Sequence, residues 1–363
     1  MRRPALRVLD LAGGPAAMGH AHGTAYADEI RRYTDERVRL VASGDWSGRP
    51  LDRDGVLALA EACIPAHEAH SPVLHEEMCG MAEGAGITLA EAIVVGGFTD
   101  FVDTVRSHVA GSHPAAVVED DCTAFIVPDS RADGVGLYAQ TWDMHDSATE
   151  HVVLFRVRPD DGPAALVFST TGCLGQIGMN EAGVCVGINN LTGIDGTIGV
   201  TWPTVVRDAL LRSTADEALE VVLAADLAGA HSYLLFDADG SGFMVEGMPT
   251  ARPWLGVDDD ALVHTNHTLW DEATAVEAPR PADLTANSAR RLERAVGLLD
   301  RDGITAEDCM AITRDPDAIC RESDDTHHVE SSGAVVMRPR TRDLWAVWGV
   351  PRHNDYTHVP FPD

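Results

Sequence analysis

The spacing of apolar residues changes at Cys122, and that change limits what this 363-residue chain can become. Before it, residues 27–41 and 54–66 carry apolar side chains at helical intervals. After it, alternation takes over. Residues 122–127 and 136–142 flank the hairpin signal Asp133-Gly134, and 151–157 and 165–170 continue the pattern. Residues 176–180 and 184–190 flank Glu181-Ala182-Gly183, a second hairpin. Helices are expected again at 204–211, from the cap Thr214-Ala215-Asp216-Glu217, at 287–299 and at 306–313. Strands are expected at 233–236, 242–246, 262–265, 334–337 and 345–348. Strand blocks separated by paired helices predict an α+β layered fold, not βαβ winding.

Two glycine-rich islands read as interruptions of the early helices: Gly19-His20-Ala21-His22-Gly23, and Ala82-Glu83-Gly84-Ala85-Gly86. Residues 106–121, polar and rich in Gly, Pro and His, read as an exposed linker.

Composition excludes several functions. A net charge of -30 makes nucleic acid and anionic membranes poor partners, because binding them normally needs a basic face. All 27 basic residues are Arg, which removes Schiff-base lysines and the phosphate-loop lysine. No apolar run reaches the roughly 20 residues of a membrane span, and Met1-Arg2-Arg3 precedes no signal-like apolar stretch. Seven cysteines without CxxC spacing fit reduced thiols, so a cytoplasmic location is expected. No GxSxG elbow or HExxH is present.

Cys122 itself follows Glu119-Asp120-Asp121 and opens a strand, an odd place for a core thiol. It makes sense if the chain is cut before it. A new N-terminal Cys supplies a nucleophile and, in its α-amine with pKa about 7.7–8.0, its own base. Asp143 ends the strand expected to pair with that of Cys122, so it could hold the amine or orient the thiol. Asn266, in His264-Thr265-Asn266-His267, and Asn180, at a hairpin tip, are amide donors for an oxyanion. Arg291, with Arg290 and Arg294 beside it on a helix after Ser288, could supply a buried positive charge.

These residues resemble the penicillin acyltransferase (isopenicillin N acyltransferase-like) family of N-terminal nucleophile cysteine hydrolases. They resemble more loosely the bile salt hydrolase and penicillin V acylase group. The motifs run in order: the two glycine islands, Cys122-Thr123-Ala124-Phe125, Trp142-Asp143, Gly178-Met179-Asn180-Glu181-Ala182-Gly183, the Asn266 motif, and Ser288 with Arg291 and Arg294. The resemblance implies an αββα four-layer sandwich with a helical N-terminal segment. It implies self-cleavage between Asp121 and Cys122, giving a 1–121 fragment and a catalytic 122–363 fragment that stay associated in one globular unit. The matching roles are Cys122 as nucleophile, Asp143 near its amine, Asn266 and Asn180 at the oxyanion, and Arg291 as supporting charge. The substrate would be a small-molecule acyl amide or thioester, from secondary metabolism, with no cofactor and no metal. Asp121 departs from the Gly that precedes the cut in fungal members.

Two other readings compete. Asp121 suits a relative that is never processed and binds an acylated metabolite without turnover. The sixteen histidines, with His264 and His267 three apart and His327 next to His328, suit a His-based metallohydrolase.

Overall fold

The structure, a computed structural model, describes residues 5–109, 122–325 and 328–362. The first described element is a strand, β1 (Val8–Gly13), followed by helices α1 (Pro15–Ala25), α2 (Ala27–Ser43), α3 (Arg53–His70), α4 (Pro72–Ala85), α5 (Leu89–Gly96) and α6 (Phe98–His108). Then come β2 (Ala124–Val127), β3 (Leu137–His145), β4 (Val152–Pro159), β5 (Ala165–Thr170), β6 (Ile177–Asn180) and β7 (Cys185–Asn190). Helices α7 (Trp202–Ala209) and α8 (Ala215–Ala224) lead to β8 (His231–Phe236), β9 (Gly242–Gly247), β10 (Trp254–Gly256) and β11 (Leu262–His264). The chain closes with α9 (Asp271–Thr274), α10 (Ala282–Leu299), α11 (Ala306–Thr313), β12 (Val329–Arg338), β13 (Asp343–Trp348) and β14 (Thr357–His358).

The strands form two sheets. One has the order β1-β4-β5-β6-β7-β8-β9-β10, the other β11-β2-β3-β12-β13-β14. Alternation on each strand sends every second side chain to the opposite face. One core therefore joins the sheets face to face, with Ala124, Ile126, Tyr138, Trp142, Leu154, Leu166, Phe168 and Leu234 buried together. The outer face of the first sheet packs Val153, Phe155, Val186 and Ile188 on α7 and α8 residues such as Val205, Val206 and Val222. The outer face of the second packs Phe125, Val127 and Ala139 on Ala295 and Leu299 of α10 and on Cys309 and Ile312 of α11. The result is the α+β, four-layer αββα arrangement. Helices α2 to α6 add a further apolar cluster of their own.

The glycine islands are not interruptions. Gly19 and Gly23 lie inside α1, and Gly84 lies inside α4, whose C-cap is the left-handed Gly86. A Cβ on Gly19 would overlap the Glu77 carbonyl, and one on Gly80 would overlap the Ala16 carbonyl. The small residues let the two helix backbones touch, so glycine here serves contact and not a turn. The expected linker is corrected in part: residues 106–108 finish α6, while 110–121 lie outside the described residues. Among the described residues before Cys122, α1 to α6 are joined by one strand, β1, which pairs in parallel with β4 and so belongs to the first sheet. No single helix among the described residues is long and apolar enough to cross a membrane; α4 and α5 reach that length only together, bent by 104°.

Candidate active site

In an antiparallel sheet, the start of a central strand lies beside the ends of both neighbours. Strand β2 sits between β11 and β3, with Ala124 opposite His264 on one side and Gln140 on the other. That topology alone brings Cys122, Asp143 and Asn266 to one end of the second sheet. Cys122 is buried and belongs to the core between the sheets. Its sulfur accepts the Asp143 backbone N–H at 3.4 Å and lies 3.7 Å from the Asp143 carbonyl oxygen.

Asp143 is fully buried, and neither carboxylate oxygen makes a hydrogen bond among the described residues. Burial pushes its carboxyl up to about 7, against the opposing pull of the Arg291 charge and of the nearby Ser331 and Thr141 hydroxyls. An unsatisfied buried carboxyl of this kind is poised to accept a proton or a cation.

Arg291 enters from α10. Of the three neighbouring arginines, Arg290 is exposed and Arg294 turns outward to Asp315 and Asp317, while Arg291 is buried. Its Nη1 donates to the Cys122 carbonyl oxygen at 2.6 Å and to the Thr123 hydroxyl at 3.2 Å. Its Nη2 donates to Asn266 Oδ1 at 2.9 Å, and its Nε to Asn287 at 2.8 Å. Burial pulls its pKa down to about 10, opposed by Asp143 and Cys122. Ser288, one helical turn earlier, accepts the Asn266 backbone N–H at 2.9 Å. The Asn266 amide is thus clamped: Oδ1 by Arg291, and one Nδ2 hydrogen by the Asn190 carbonyl at 3.0 Å. Among the described residues, its Nδ2 makes no other bond.

Asn180 is placed elsewhere. Its amide donates to the carbonyls of Leu210 and Arg212 at 2.9 and 2.7 Å, and its Oδ1 accepts the Val184 N–H. It ties the β6–β7 hairpin to the end of α7, at the opposite end of β7 from Asn190. The bonds to Leu210, Arg212 and Val184 account for the side chain, and none of them joins it to Cys122.

Sequence reasoning missed Asn189. On β7, Cys185 faces the inter-sheet core, and a Cβ on Gly187 would meet Tyr138 and Gln140 of β3. Asn189 is next on that face. Its flanking carbonyls are tied down, that of Ile188 by Gln140 and that of Asn190 by Asn266. Both amide atoms of Asn189 are nonetheless buried without a partner among the described residues, as is the hydroxyl of Ser232 opposite it on β8. The signal was present: Cys185, Gly187 and Asn189 alternate, and an amide on a core-facing position needs a partner.

The histidines do not gather. His264 bonds Glu246 and the Thr265 carbonyl, His267 bonds Ser288, and His327 lies outside the described residues. No group of three His, Cys, Asp or Glu among the described residues is placed to hold a metal ion. A cleft of about 680 Å³ is lined by His70, Asp208, Arg212 and Glu217, and Cys122 is not among its lining residues.

Known proteins resemble this chain at several levels. A 40 kDa acyl-coenzyme A:6-aminopenicillanic-acid acyltransferase form from Emericella nidulans is 23% identical over 291 residues, 79% of this chain and 76% of that protein. An uncharacterized protein of Archaeoglobus fulgidus is 26% identical over 266 residues, 70% of this chain but 41% of its own length. Among solved structures, a variant of conjugated bile acid hydrolase from Clostridium perfringens superposes with a TM-score of 0.45 and 10% identity, covering 66% of this chain and 97% of that one. Penicillin V acylase from Agrobacterium tumefaciens gives 0.38 and 12%, covering 62% and 82%. Residues 130–353 match a family sequence profile, which takes in more than half of the chain. This chain belongs to the acyl-coenzyme A:6-aminopenicillanic acid acyl-transferase family.

Proposed function

We propose that the protein is a self-processed N-terminal cysteine amidohydrolase or acyltransferase acting on a linear acyl amide or thioester of a small metabolite. The observation that carries this reading is the placement of Cys122. Its sulfur is held by the Asp143 backbone and its carbonyl by Arg291, which also bonds Asn266.

In this reading the thiol first attacks the Asp121 carbonyl, the peptide nitrogen leaves as an amine, and water hydrolyses the resulting thioester. Cys122 then carries a free α-amine, and the 1–121 and 122–363 fragments remain associated, β1 staying paired with β4. The amine takes the thiol proton, and Asp143 accepts the α-ammonium as an ion pair. The thiolate attacks the substrate carbonyl. Asn266, through its remaining Nδ2 hydrogen, and Asn189 donate to the oxyanion. The ammonium returns its proton to the leaving amine, and the acyl-Cys122 thioester passes to water or to an acceptor amine. Arg291 fixes the backbone of the nucleophile and the Asn266 carboxamide, and touches no substrate in this scheme. No step calls for a cofactor.

The test is intact mass of the purified protein. Two fragments split before Cys122 are expected, with Cys122→Ala leaving one chain and no turnover. A permanently single wild-type chain, or turnover surviving in Cys122→Ala, ends the proposal.

A further inference from the structure

We propose that Arg37 and Thr34, on α2, bind a carboxylate carried by the substrate; this rests on the reading of Cys122 above. Arg37 has no exposed surface, and none of its Nε, Nη1 and Nη2 atoms makes a hydrogen bond among the described residues. Its guanidinium is flanked by the rings of Tyr33 and Phe98, 4.6 and 4.8 Å from their centroids. The nearest carboxylate, Glu36, is 4.0 Å away, beyond hydrogen-bond reach, and already accepts the Ser147 hydroxyl. One turn earlier, the Thr34 hydroxyl is also buried and without a hydrogen-bond partner among the described residues. Two adjacent orphaned donors, one cationic, are unusual in a folded protein, because a buried charge is costly unless paired.

The chemistry selects the ligand. A planar guanidinium with its donors unspent, edged by two aromatic faces, matches a carboxylate held bidentately, with Thr34 as a further donor. The position selects the role. Tyr33 lies in the same core cluster as Cys122, Trp142 and Met144. His145, where β3 ends, is held below its ordinary pKa first by burial and then by the Arg37 charge. It is two residues past Asp143, roughly 7 Å along the strand. A substrate with its acyl carbon at the Cys122 sulfur would thus reach Arg37 with an anionic group several bonds from the scissile amide.

The experiment is a titration of wild-type and Cys122→Ala proteins with hexanoate, hexanamide and inorganic phosphate, read by calorimetry and by thermal unfolding. Hexanoate is expected to bind about tenfold or more tighter than hexanamide, as a charge-assisted hydrogen bond implies. Arg37→Met should remove that preference, and Thr34→Val should reduce it. Equal binding of acid and amide by the wild type overturns the inference, as does no binding of either. Stabilisation by phosphate without hexanoate overturns the carboxylate assignment. If Arg37→Met fails to fold, the wild-type comparison still decides. Because the titration needs no turnover, a protein that binds hexanoate selectively but is never cleaved would retain this site and lose the catalytic reading.

Discussion

The Cys122 sulfur is held by the backbone of Asp143 and not by its carboxylate: the N–H donates at 3.4 Å, while both carboxylate oxygens stay unbonded among the described residues. Thiol placement and carboxylate charge are therefore separable, and Asp143→Asn removes only the charge. The Asp143 carboxyl titrates near 7 when folded, against about 3.9 in an unfolded chain. Between those values the folded state keeps a proton that the unfolded state has lost. Stability from this group is thus fully present below pH ~4 and is lost as pH rises through ~7. In the uncut Cys122→Ala protein, urea unfolding should show up to about 4 kcal/mol lost across that window. Adding Asp143→Asn should flatten that part of the profile. Superimposable profiles for the two proteins would remove Asp143 as its source.

Arg291→Met leaves the Cys122 carbonyl, the Thr123 hydroxyl and Asn266 Oδ1 without their buried donor. The expected loss is about 3–5 kcal/mol in urea unfolding. Arg291→Lys should recover little of it, because a single ammonium cannot span all three acceptors. A loss below 1 kcal/mol for Arg291→Met would mean that these bonds contribute little.

Asn180 and Asn189 should behave in opposite ways. Asn180→Ala breaks the ties to Leu210 and Arg212 and should lower stability by about 1–3 kcal/mol, with kcat of the folded protein unchanged. Asn189→Ala removes an amide with no hydrogen-bond partner among the described residues, so stability should hold while kcat falls about 10²–10³-fold. Parallel stability and steady-state measurements on both variants decide; a stable, fully active Asn189→Ala protein takes that residue out of the oxyanion site.

At the α1–α4 contact, Gly80→Ala places a methyl against the Ala16 carbonyl. Backbone must move, so a loss of about 1–3 kcal/mol is expected in thermal or urea unfolding. Gly297→Ala, where a methyl meets nothing within 4 Å, is the matching control and should leave stability unchanged or slightly raised.

Local periodicity laid out the layers and the position of Cys122 at the start of a strand. Alternation after Cys122 and helical spacing before it follow from local periodicity, and they appear as β2 to β9 and as α2 and α3. The meeting of Cys122 with Asp143 was legible too, because a hairpin fixes which strand ends adjoin. Glycine was misread at Gly19 and Gly84, since the same residue that breaks a helix also lets two helices touch, and only a partner helix distinguishes these. Only the packing of distant elements turns one of three arginines inward, spends the Asn180 side chain on Leu210, Arg212 and Val184, and leaves the polar side-chain atoms of Asn189, Arg37 and Thr34 buried without a hydrogen bond among the described residues. Those facts depend on what lies across a space between elements distant in sequence. Whether a buried polar group is satisfied is a property of its surroundings, which no local pattern of residues contains.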